Sequence, residues 1–283
     1  MQYRILSNGV ELPLIGYGTF QIRDEAQCER CVAEALAAGY RLFDTAASYG
    51  NEAAVGAALR GSGLPREAWF VITKLWVQDA GYDSALWAFD RSRKNLGLDY
   101  IDLYLIHQPF GDYYGAWRAM ERLYREGAVR AIGVSNFPPE RLVDLCMNQE
   151  LRPMVNQIEI HPFYQQGEAL RVMEDWGGVP QAWGPFSEAQ KDIFHHKTLS
   201  KIADRHGKTT AQVILRWHLQ RNIPTIPKTV HKDRMAENLD VFDFALTERE
   251  MESIAGMDIG HSEIMDHHCF CTARQLNSVR IHR

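Results

Sequence analysis

Short apolar runs alternate with longer amphipathic segments along most of the chain. The segments have the spacing of helices, as in the stretch that begins at Asp24 with a capping box and stops at Gly39. The runs are almost continuously apolar, as in parallel strands covered on both faces, and they occupy residues 14–18, 42–44, 69–74, 100–107, 129–135, 154–158, 179–183 and 223–226. These strand-then-helix units predict an α/β fold, a (β/α)8 TIM barrel.

Both ends of the chain depart from this alternation. Near the N-terminus, Asn8-Gly9 lies between short apolar runs and predicts a β-hairpin with a type I′ turn, which we expect at the bottom of the barrel. Residues 184–208 are too long for a simple strand-to-helix connection, and the tail from Met257 has no clear period. Since neither a repeat nor a linker is evident, we predict one domain over residues 1–283.

The composition narrows the class of protein. The chain has 283 residues, of which 46% are hydrophobic and 24% charged, so a large core is expected and intrinsic disorder is not. The net charge of the chain is -5, whereas nucleic-acid-binding proteins typically have an excess of basic residues. The N-terminal residues do not resemble a signal peptide, and no apolar run reaches the roughly 18 residues of a membrane span. We expect a cytoplasmic monomer that acts on small molecules, without a membrane or nucleic-acid partner.

Neither the cysteines nor the short motifs give a complete metal or nucleotide signature. The five cysteines are an odd number, which fits a reducing compartment better than a disulfide framework. Cys28 and Cys31 are spaced so that a zinc site shared with Cys269 and Cys271 is conceivable, but partly buried thiols on a helix and a reactive tail explain them as well. The glycines of residues 16–18 form only part of a dinucleotide fingerprint. We therefore predict no bound metal.

Ionisable side chains lie at or just after the ends of three successive predicted strands: Asp44, Tyr49, Lys74 and His107. Each has an ordinary structural explanation when taken alone, but barrel enzymes carry their chemistry at these strand ends. A lysine beside a tyrosine hydroxyl lowers the phenol pKa from about 10, and an aspartate keeps that lysine charged. With His107 orienting a substrate oxygen, the arrangement predicts a tyrosine general acid that protonates a carbonyl oxygen as a hydride arrives.

The sequence around these residues resembles the aldo-keto reductases. The matching motifs are Asp44-Thr45-Ala46-x-x-Tyr49-Gly50-Asn51-Glu52, Thr73-Lys74-Leu75-Trp76, Asp102-Leu103-Tyr104-Leu105-Ile106-His107-x-Pro109, Ile132-Gly133-Val134-Ser135-Asn136-Phe137, Asn156-Gln157-x-Glu159-x-His161-Pro162 and Ile226-Pro227-Lys228. The resemblance runs from the hairpin to about Met257 and is greatest to bacterial members similar to 2,5-diketo-gluconate and glyoxal reductases. It implies an NADPH-dependent oxidoreductase that reduces small aldehydes, 2-oxoaldehydes or ketones to alcohols.

The resemblance also implies a role for each site residue. It makes Tyr49 the proton donor, assisted by Lys74 and Asp44, while His107 binds the carbonyl oxygen. The substrate pocket is implied to contain Phe20, Trp76 and His107. The residues implied to bind the cofactor are Ser135, Asn136 and Gln157 at the carboxamide, Trp183 on the nicotinamide ring, Thr19, Phe20, Gly184 and Phe186 along the groove, and Lys228, Thr229, Val230, Arg234, Glu237 and Asn238 at the adenosine end.

The adenosine-end segment also has a local physical basis. Lys228 ends the last predicted strand, and Arg234 and Asn238 lie one turn apart on the following helix. A basic patch suited to the 2′-phosphate of NADPH is formed by Lys228, His231, Arg234 and the helix N-terminus, although a solvated helix start would look similar. The sequence departs from relatives at His231, where some carry Arg, and at Gln108, where many carry an aromatic residue.

Two other functional classes remain open at this stage. One is a nicotinamide-binding regulatory subunit without catalysis, which would have no need of the four ionisable residues. The other is a metal-dependent barrel hydrolase, which would need a cluster of His and carboxylate ligands at the strand ends. The tail from Met257, which departs from the family pattern, is expected over the substrate pocket; a tail without a role is the alternative.

Overall fold

A computed structural model describes residues 2–282, so Met1 and Arg283 of the predicted domain lie outside the described residues. An antiparallel hairpin is formed by β1 (Tyr3–Ile5) and β2 (Glu11–Pro13). A curled parallel sheet then follows in chain order, made of β3 (Tyr17–Gly18), β4 (Leu42–Asp44), β5 (Phe70–Leu75), β6 (Ile101–Ile106), β7 (Val129–Ser135), β8 (Val155–Glu159) and β9 (Val179–Trp183). The predicted α/β barrel is confirmed.

The last of the predicted strands differs from the prediction in its extent. Thr225 pairs with Ala182 on one side and with Ile15 on the other, each through an isolated parallel bridge. Pro224 and Pro227 flank this residue and have no N–H to donate, so a continuous ladder does not form. The two bridges nevertheless join the first and last parts of the sheet, and the barrel closes there.

The helices cover the outside of the barrel and confirm the amphipathic pattern. They are α1 (Glu25–Ala38), α2 (Glu52–Gly61), α3 (Tyr82–Leu96), α4 (Tyr113–Arg125), α5 (Pro139–Asn148), α6 (Gly167–Asp175), α7 (Lys197–His206), α8 (Thr210–Gln220), α9 (Lys232–Leu239), α10 (Glu248–Ala255) and α11 (Phe270–Ser278). In α1 the Asp24 side chain accepts from Gln27 N at 2.7 Å, as its capping pattern predicts. Gly39 ends α1 at φ +112°, a conformation that favours glycine.

The hairpin turn has a different geometry from the predicted one. A type I′ turn needs positive φ at both central residues, but Asn8 is not among the described residues with positive φ, and only Gly9 has it, at +85°. Gly9 N donates to Leu6 O at 2.9 Å, which gives a three-residue loop with glycine last. Asn8 uses its side chain instead: Nδ2 donates to Arg130 O at 2.9 Å. That contact at the start of β7 places the hairpin at the bottom of the barrel, as expected.

The C-terminal tail crosses the opposite end of the barrel, where the strands finish; we call this end the barrel mouth. The tail is hydrogen-bonded to the last residue of β8 and to the connections after β6 and β5. These contacts are Ser262 Oγ to Glu159 Oε2 at 2.6 Å, His267 Nε2 to Gln108 Oε1 at 3.1 Å, and Trp76 Nε1 to Val279 O at 2.9 Å. A small buried cluster of Trp76, Val77, Phe110 and Leu276 packs α11 onto the same connections. The predicted tail over the barrel mouth is confirmed.

The cysteines differ from the sequence expectation in one pair. Cys269 and Cys271 form a disulfide in the tail, so the expectation of unpaired cysteines is wrong for this pair. The other three cysteines are unpaired, which accounts for the odd total. Cys28 and Cys31 are fully buried on α1. Within residues 2–282, no three His, Cys, Asp or Glu side chains are grouped as a metal site requires. In the same range, no helix is both long and apolar enough to cross a membrane.

Candidate active site at the barrel mouth

Three neighbouring strands bring the four predicted catalytic residues to the barrel mouth. Asp44 is the last residue of β4, Lys74 lies one residue before the end of β5, and His107 directly follows β6. Tyr49 ends a short 3₁₀ helix, Ala47–Tyr49, in the connection after β4. The parallel register of these strands aligns their carboxyl ends, so the predicted residues are brought together.

Asn51 organises the connection that carries Tyr49. This side chain is buried, and its Nδ2 donates to Thr19 O at 2.9 Å and to Ile22 O at 3.0 Å. Its Oδ1 accepts from Thr45 Oγ1 at 2.7 Å. Because all its polar atoms are engaged, Asn51 fixes the connection relative to the segment after β3, and Tyr49 is held over Asp44 rather than in solvent.

Lys74 links Tyr49 to Asp44. Its Nζ donates to Asp44 Oδ1 at 2.5 Å, to Thr45 O at 2.9 Å and to Tyr49 Oη at 3.3 Å. The side chain is completely buried, and these acceptors use all three of its ammonium hydrogens. A buried, fully paired ammonium therefore lies against the hydroxyl that the sequence assigns as the acid.

The pKa of Tyr49 shifts in the direction opposite to the sequence prediction. Burial and the negative charge of Asp44 hold this pKa well above its usual value of 10. The prediction considered Lys74 alone, whereas removal of the phenol from water disfavours phenolate more strongly. Tyr49 consequently keeps its proton at neutral pH, which is the state a proton donor requires.

His107 is a neutral imidazole packed between aromatic rings. Its ring lies 5.6 Å from the Tyr49 ring and 5.3 Å from the Trp76 ring. Burial and the nearby Lys74 charge lower its pKa well below 6.5. His107 Nδ1 lies 3.3 Å from Ser48 Oγ. When Nδ1 accepts the Ser48 hydroxyl, the proton of the neutral ring is on Nε2, which is then a hydrogen-bond donor.

The other oxygen of Asp44 is held from the far side of the barrel. Gln157 Nε2 donates to Asp44 Oδ2 at 2.7 Å and to Gln181 Oε1 at 2.9 Å. Both amide hydrogens of Gln157 are thereby used, and no donor among residues 2–282 reaches its Oε1. Gln181 was not predicted as a site residue. A buried amide inside the apolar run of β9 is the signal that identifies it.

Asn136 connects His107 to Trp183. Its Nδ2 donates to His107 O at 3.0 Å, and its Oδ1 accepts from Trp183 Nε1 at 2.8 Å. Neighbouring Ser135 Oγ donates to Gln157 O at 2.8 Å. The residues implied for the nicotinamide end of the cofactor are thus brought together on β7, β8 and β9.

The groove residues fall into two groups. Thr19 and Phe20 lie beside the catalytic residues: Thr19 Oγ1 donates to Asp44 O at 2.9 Å, and the Phe20 ring is 5.0 Å from the Tyr49 ring. Gly184, at φ +60°, and Phe186 begin the long connection after β9. That connection continues through Ser187–His195, a kinked segment in which Glu188, Ala189, Lys191 and Asp192 have positive φ and are not helical.

The predicted basic patch lies at the start of α9. Its predicted members Lys228, His231 and Arg234 are exposed, as is the neighbouring Lys232, and no carboxylate of residues 2–282 lies within ion-pair distance of any of the four. His231 is the N-cap residue and makes no side-chain cap, so the first N–H groups of α9 are not satisfied by it. Cationic side chains and free helix N–H groups are therefore available together.

The remaining adenosine-end residues are less accessible. Thr229 and Asn238 are buried, and Val230 is half-buried against the core. Glu237 Oε1 accepts from Thr209 Oγ1 at 2.8 Å, so one oxygen of this carboxylate is already hydrogen-bonded to the N-cap of α8.

The tail places His267, one of the residues expected over the pocket mouth, beside the connection that follows β6. His267 lies beside Gln108, and burial lowers the His267 pKa to about 4. It therefore contacts Gln108 as a neutral ring. His267 and Asn136 both line a cleft of about 930 Å³ that opens between the tail and α5.

Comparisons with known proteins identify the family of the chain. Residues 14–259 match the model of the Aldo/keto reductase family. The chain is 44% identical over 254 residues to the glyoxal reductase of Bacillus subtilis, covering 89% of this chain and 91% of that protein. It is 46% identical over 251 residues to the 9,11-endoperoxide prostaglandin H2 reductase of Trypanosoma cruzi, covering 88% and 89%. The Bombyx mori aldo-keto reductase structure in complex with NADP superposes with a TM-score of 0.87 at 33% identity, covering 94% and 96%.

Proposed function

Because the chain belongs to the aldo/keto reductase family, we propose that it uses NADPH to reduce small aldehydes, 2-oxoaldehydes or ketones to alcohols. The observation that carries the proposal is the buried chain in which Lys74 Nζ joins Tyr49 Oη, at 3.3 Å, to Asp44, at 2.5 Å. A phenol that stays protonated beside an ammonium is suited to give a proton to a carbonyl oxygen.

The roles of the catalytic residues follow from their contacts. Tyr49 donates its proton to the carbonyl oxygen, and Lys74 stabilises the phenolate that this leaves. Asp44 keeps Lys74 charged and oriented. His107, neutral and with Nε2 as a donor, holds the same oxygen by a hydrogen bond. Phe20 and Trp76 exclude water from the pocket and so strengthen these electrostatic interactions.

The residues present fit a nicotinamide cofactor. Gln157 Oε1 has no donor among the described residues, and an amide –NH2 group is a suitable partner for it. Ser135, Asn136 and Trp183 would hold the nicotinamide end, and the cations Lys228 and Arg234 would hold the 2′-phosphate. NADPH bound there supplies the hydride, so that aldehyde, NADPH and a proton become alcohol and NADP⁺.

The test is oxidation of NADPH followed at 340 nm with glyoxal, methylglyoxal and simple aldehydes, in buffer containing EDTA. Aldehyde-dependent loss of absorbance that EDTA does not affect is expected. NADPH binding without turnover across the panel would favour the regulatory subunit instead. Neither NADPH binding nor NADPH oxidation with any member of the panel would favour the hydrolase alternative, because hydrolysis consumes no NADPH.

We also expect a preference for NADPH over NADH that depends on the basic patch. A hydrogen bond to a charged group contributes about 1.5–3 kcal/mol. Lys228→Met and Arg234→Met should therefore each weaken NADPH binding about 10- to 100-fold and leave NADH binding nearly unchanged, as measured by fluorescence titration. Lys201→Met removes an exposed charge from α7 and serves as the control. Equal weakening of both cofactors by Arg234→Met would contradict a role at the phosphate.

A further inference from the structure

The tail has an accessible disulfide at the turn into its last helix. Cys269 and Cys271 are bonded with only Phe270 between them, and Cys271 and Phe270 are exposed. The remaining cysteines, Cys28, Cys31 and Cys146, are buried and unpaired. Thiols in solution can therefore reach this disulfide, whereas the sulfur atoms of the three buried cysteines are inaccessible to them.

The disulfide lies between two attachments of the tail to the substrate side of the barrel mouth. Before it, His267 Nε2 is 3.1 Å from Gln108 Oε1. After it, Leu276 of α11 packs in the cluster with Trp76, and Trp76 Nε1 donates to Val279 O at 2.9 Å. A change in the turn between these attachments therefore affects the contacts of both Gln108 and Trp76.

The bond also fixes the start of α11. Cys269 is the N-cap residue, and its Sγ accepts from Cys271 N at 3.2 Å. A helix of 9 residues is too short to be stable without such support. The covalent link restricts the backbone between the two sulfurs, so it favours the turn from which the helix continues.

The same location makes the bond open to exchange. Cys271 lies in the first turn of α11, and Arg274 lines the same surface groove. A helix N-terminus and a cation both favour thiolate over thiol. Cys269 Sγ, which already accepts an N–H, is correspondingly a good leaving group.

We propose that the Cys269–Cys271 bond is a thiol–disulfide exchange site that controls the substrate side of the pocket. The thiolate of a low-molecular-weight thiol attacks Cys271 Sγ and forms a mixed disulfide with it; the protein disulfide breaks, and Cys269 leaves as a thiolate that takes a proton from solvent. A second small thiol then attacks the small-thiol sulfur of this mixed disulfide, and Cys271 leaves as a thiolate. The protein gains two thiols, and the two small thiols leave as one oxidised disulfide.

The two forms differ in how the tail contacts the pocket. The oxidised form holds α11 and His267 against Trp76 and Gln108, and the reduced form loosens them. The cations implied to hold the 2′-phosphate, Lys228 and Arg234, lie just before and in the first turn of α9, in a different part of the chain from this turn. Reduction should therefore change KM for carbonyl substrates without changing NADPH affinity. This kinetic effect rests on the proposed function, whereas the change in the tail does not.

The experiment compares the full-length protein after treatment with oxidised or reduced glutathione. Thiol titration in denaturant should find three thiols in the oxidised form, five cysteines less two, and five in the reduced form. We expect KM for an aldehyde to rise about fivefold on reduction, the effect of losing one ordinary hydrogen bond. Amide hydrogen exchange in residues 270–278 should become faster.

Matched variants locate the effect. Cys269→Ser with Cys271→Ser keeps an N-cap oxygen, cannot form the bond, and should match the reduced form in both buffers. Cys146→Ser keeps the tail pair and should respond as the unchanged protein does. Five thiols after oxidation, or equal KM and exchange rates in forms with three and five thiols, would overturn the proposal. Altered exchange rates in a protein without carbonyl reductase activity would instead refute the proposed function.

Discussion

Replacing Tyr49 by Phe is expected to lower kcat on an aldehyde by about 10²–10⁴-fold, the usual contribution of a general acid. The variant keeps the ring that packs 5.0 Å from Phe20 and 5.6 Å from His107. It loses only the hydroxyl that Lys74 contacts. NADPH affinity should therefore stay nearly constant while the chemical step slows.

Single-turnover oxidation of NADPH, together with fluorescence titration of the cofactor, separates these quantities. Tyr164→Phe is the matched control, because it removes a half-buried phenol hydroxyl near the barrel mouth but away from Lys74. The control should keep its kcat. A Tyr49→Phe variant with near-normal kcat would show that another group supplies the proton.

The sequence predicted that Asp44, Lys74 and His107 lie together at one end of the barrel, because strand ends are a local property of the sequence. Asp44, Lys74 and His107 each stand where an apolar run stops, and parallel strands with short connections must bring such positions to one end of the barrel. Reasoning from sequence alone gave the wrong local structure at two places, the last strand and the hairpin turn. Proline at 224 and 227 reduced the last strand to bridges, and the bond from Asn8 to Arg130 accompanies a turn other than type I′.

The supporting residues of the site were not predictable in the same way. Ser48, Gln181 and His267 act through partners that lie 59, 24 and 159 positions away in the chain. The residue types alone carry no information about such contacts. The direction of the Tyr49 pKa shift likewise depends on how completely the fold removes water from the phenol. A sequence motif shows which charged residues are present, but it does not show how deeply they are buried.

Replacing Lys74 by Met should reduce both stability and activity, for separable reasons. Lys74 is fully buried and is 2.5 Å from Asp44 Oδ1, so its removal leaves a buried carboxylate without its counterion. Breaking such a pair costs about 3–5 kcal/mol. For a chain of this size we expect the melting temperature to fall by roughly 6–20 °C. The activity should fall as well, because no charge is left to stabilise the Tyr49 phenolate.

The loss of stability in Lys74→Met should depend on pH in a defined direction. Burial already raises the pKa of Asp44 against the opposing effect of Lys74, and without Lys74 that opposition is gone. A carboxyl whose folded pKa exceeds its unfolded value, about 3.9, binds more protons when folded, so stability is lost as pH rises through this interval. Thermal unfolding of the variant at several pH values, relative to the unchanged protein, measures the effect.

Adding Asp44→Asn to Lys74→Met separates the buried charge from the catalytic role. The double variant lacks both members of the buried ion pair, so it should recover much of the lost stability and show a flatter pH dependence. Its kcat should nevertheless remain low, since an amide and a thioether cannot assist proton transfer from Tyr49. Recovery of activity together with stability would mean that Lys74 serves only to neutralise Asp44. A double variant no more stable than Lys74→Met would instead show that the packing of the lysine chain, rather than its charge, supports the fold.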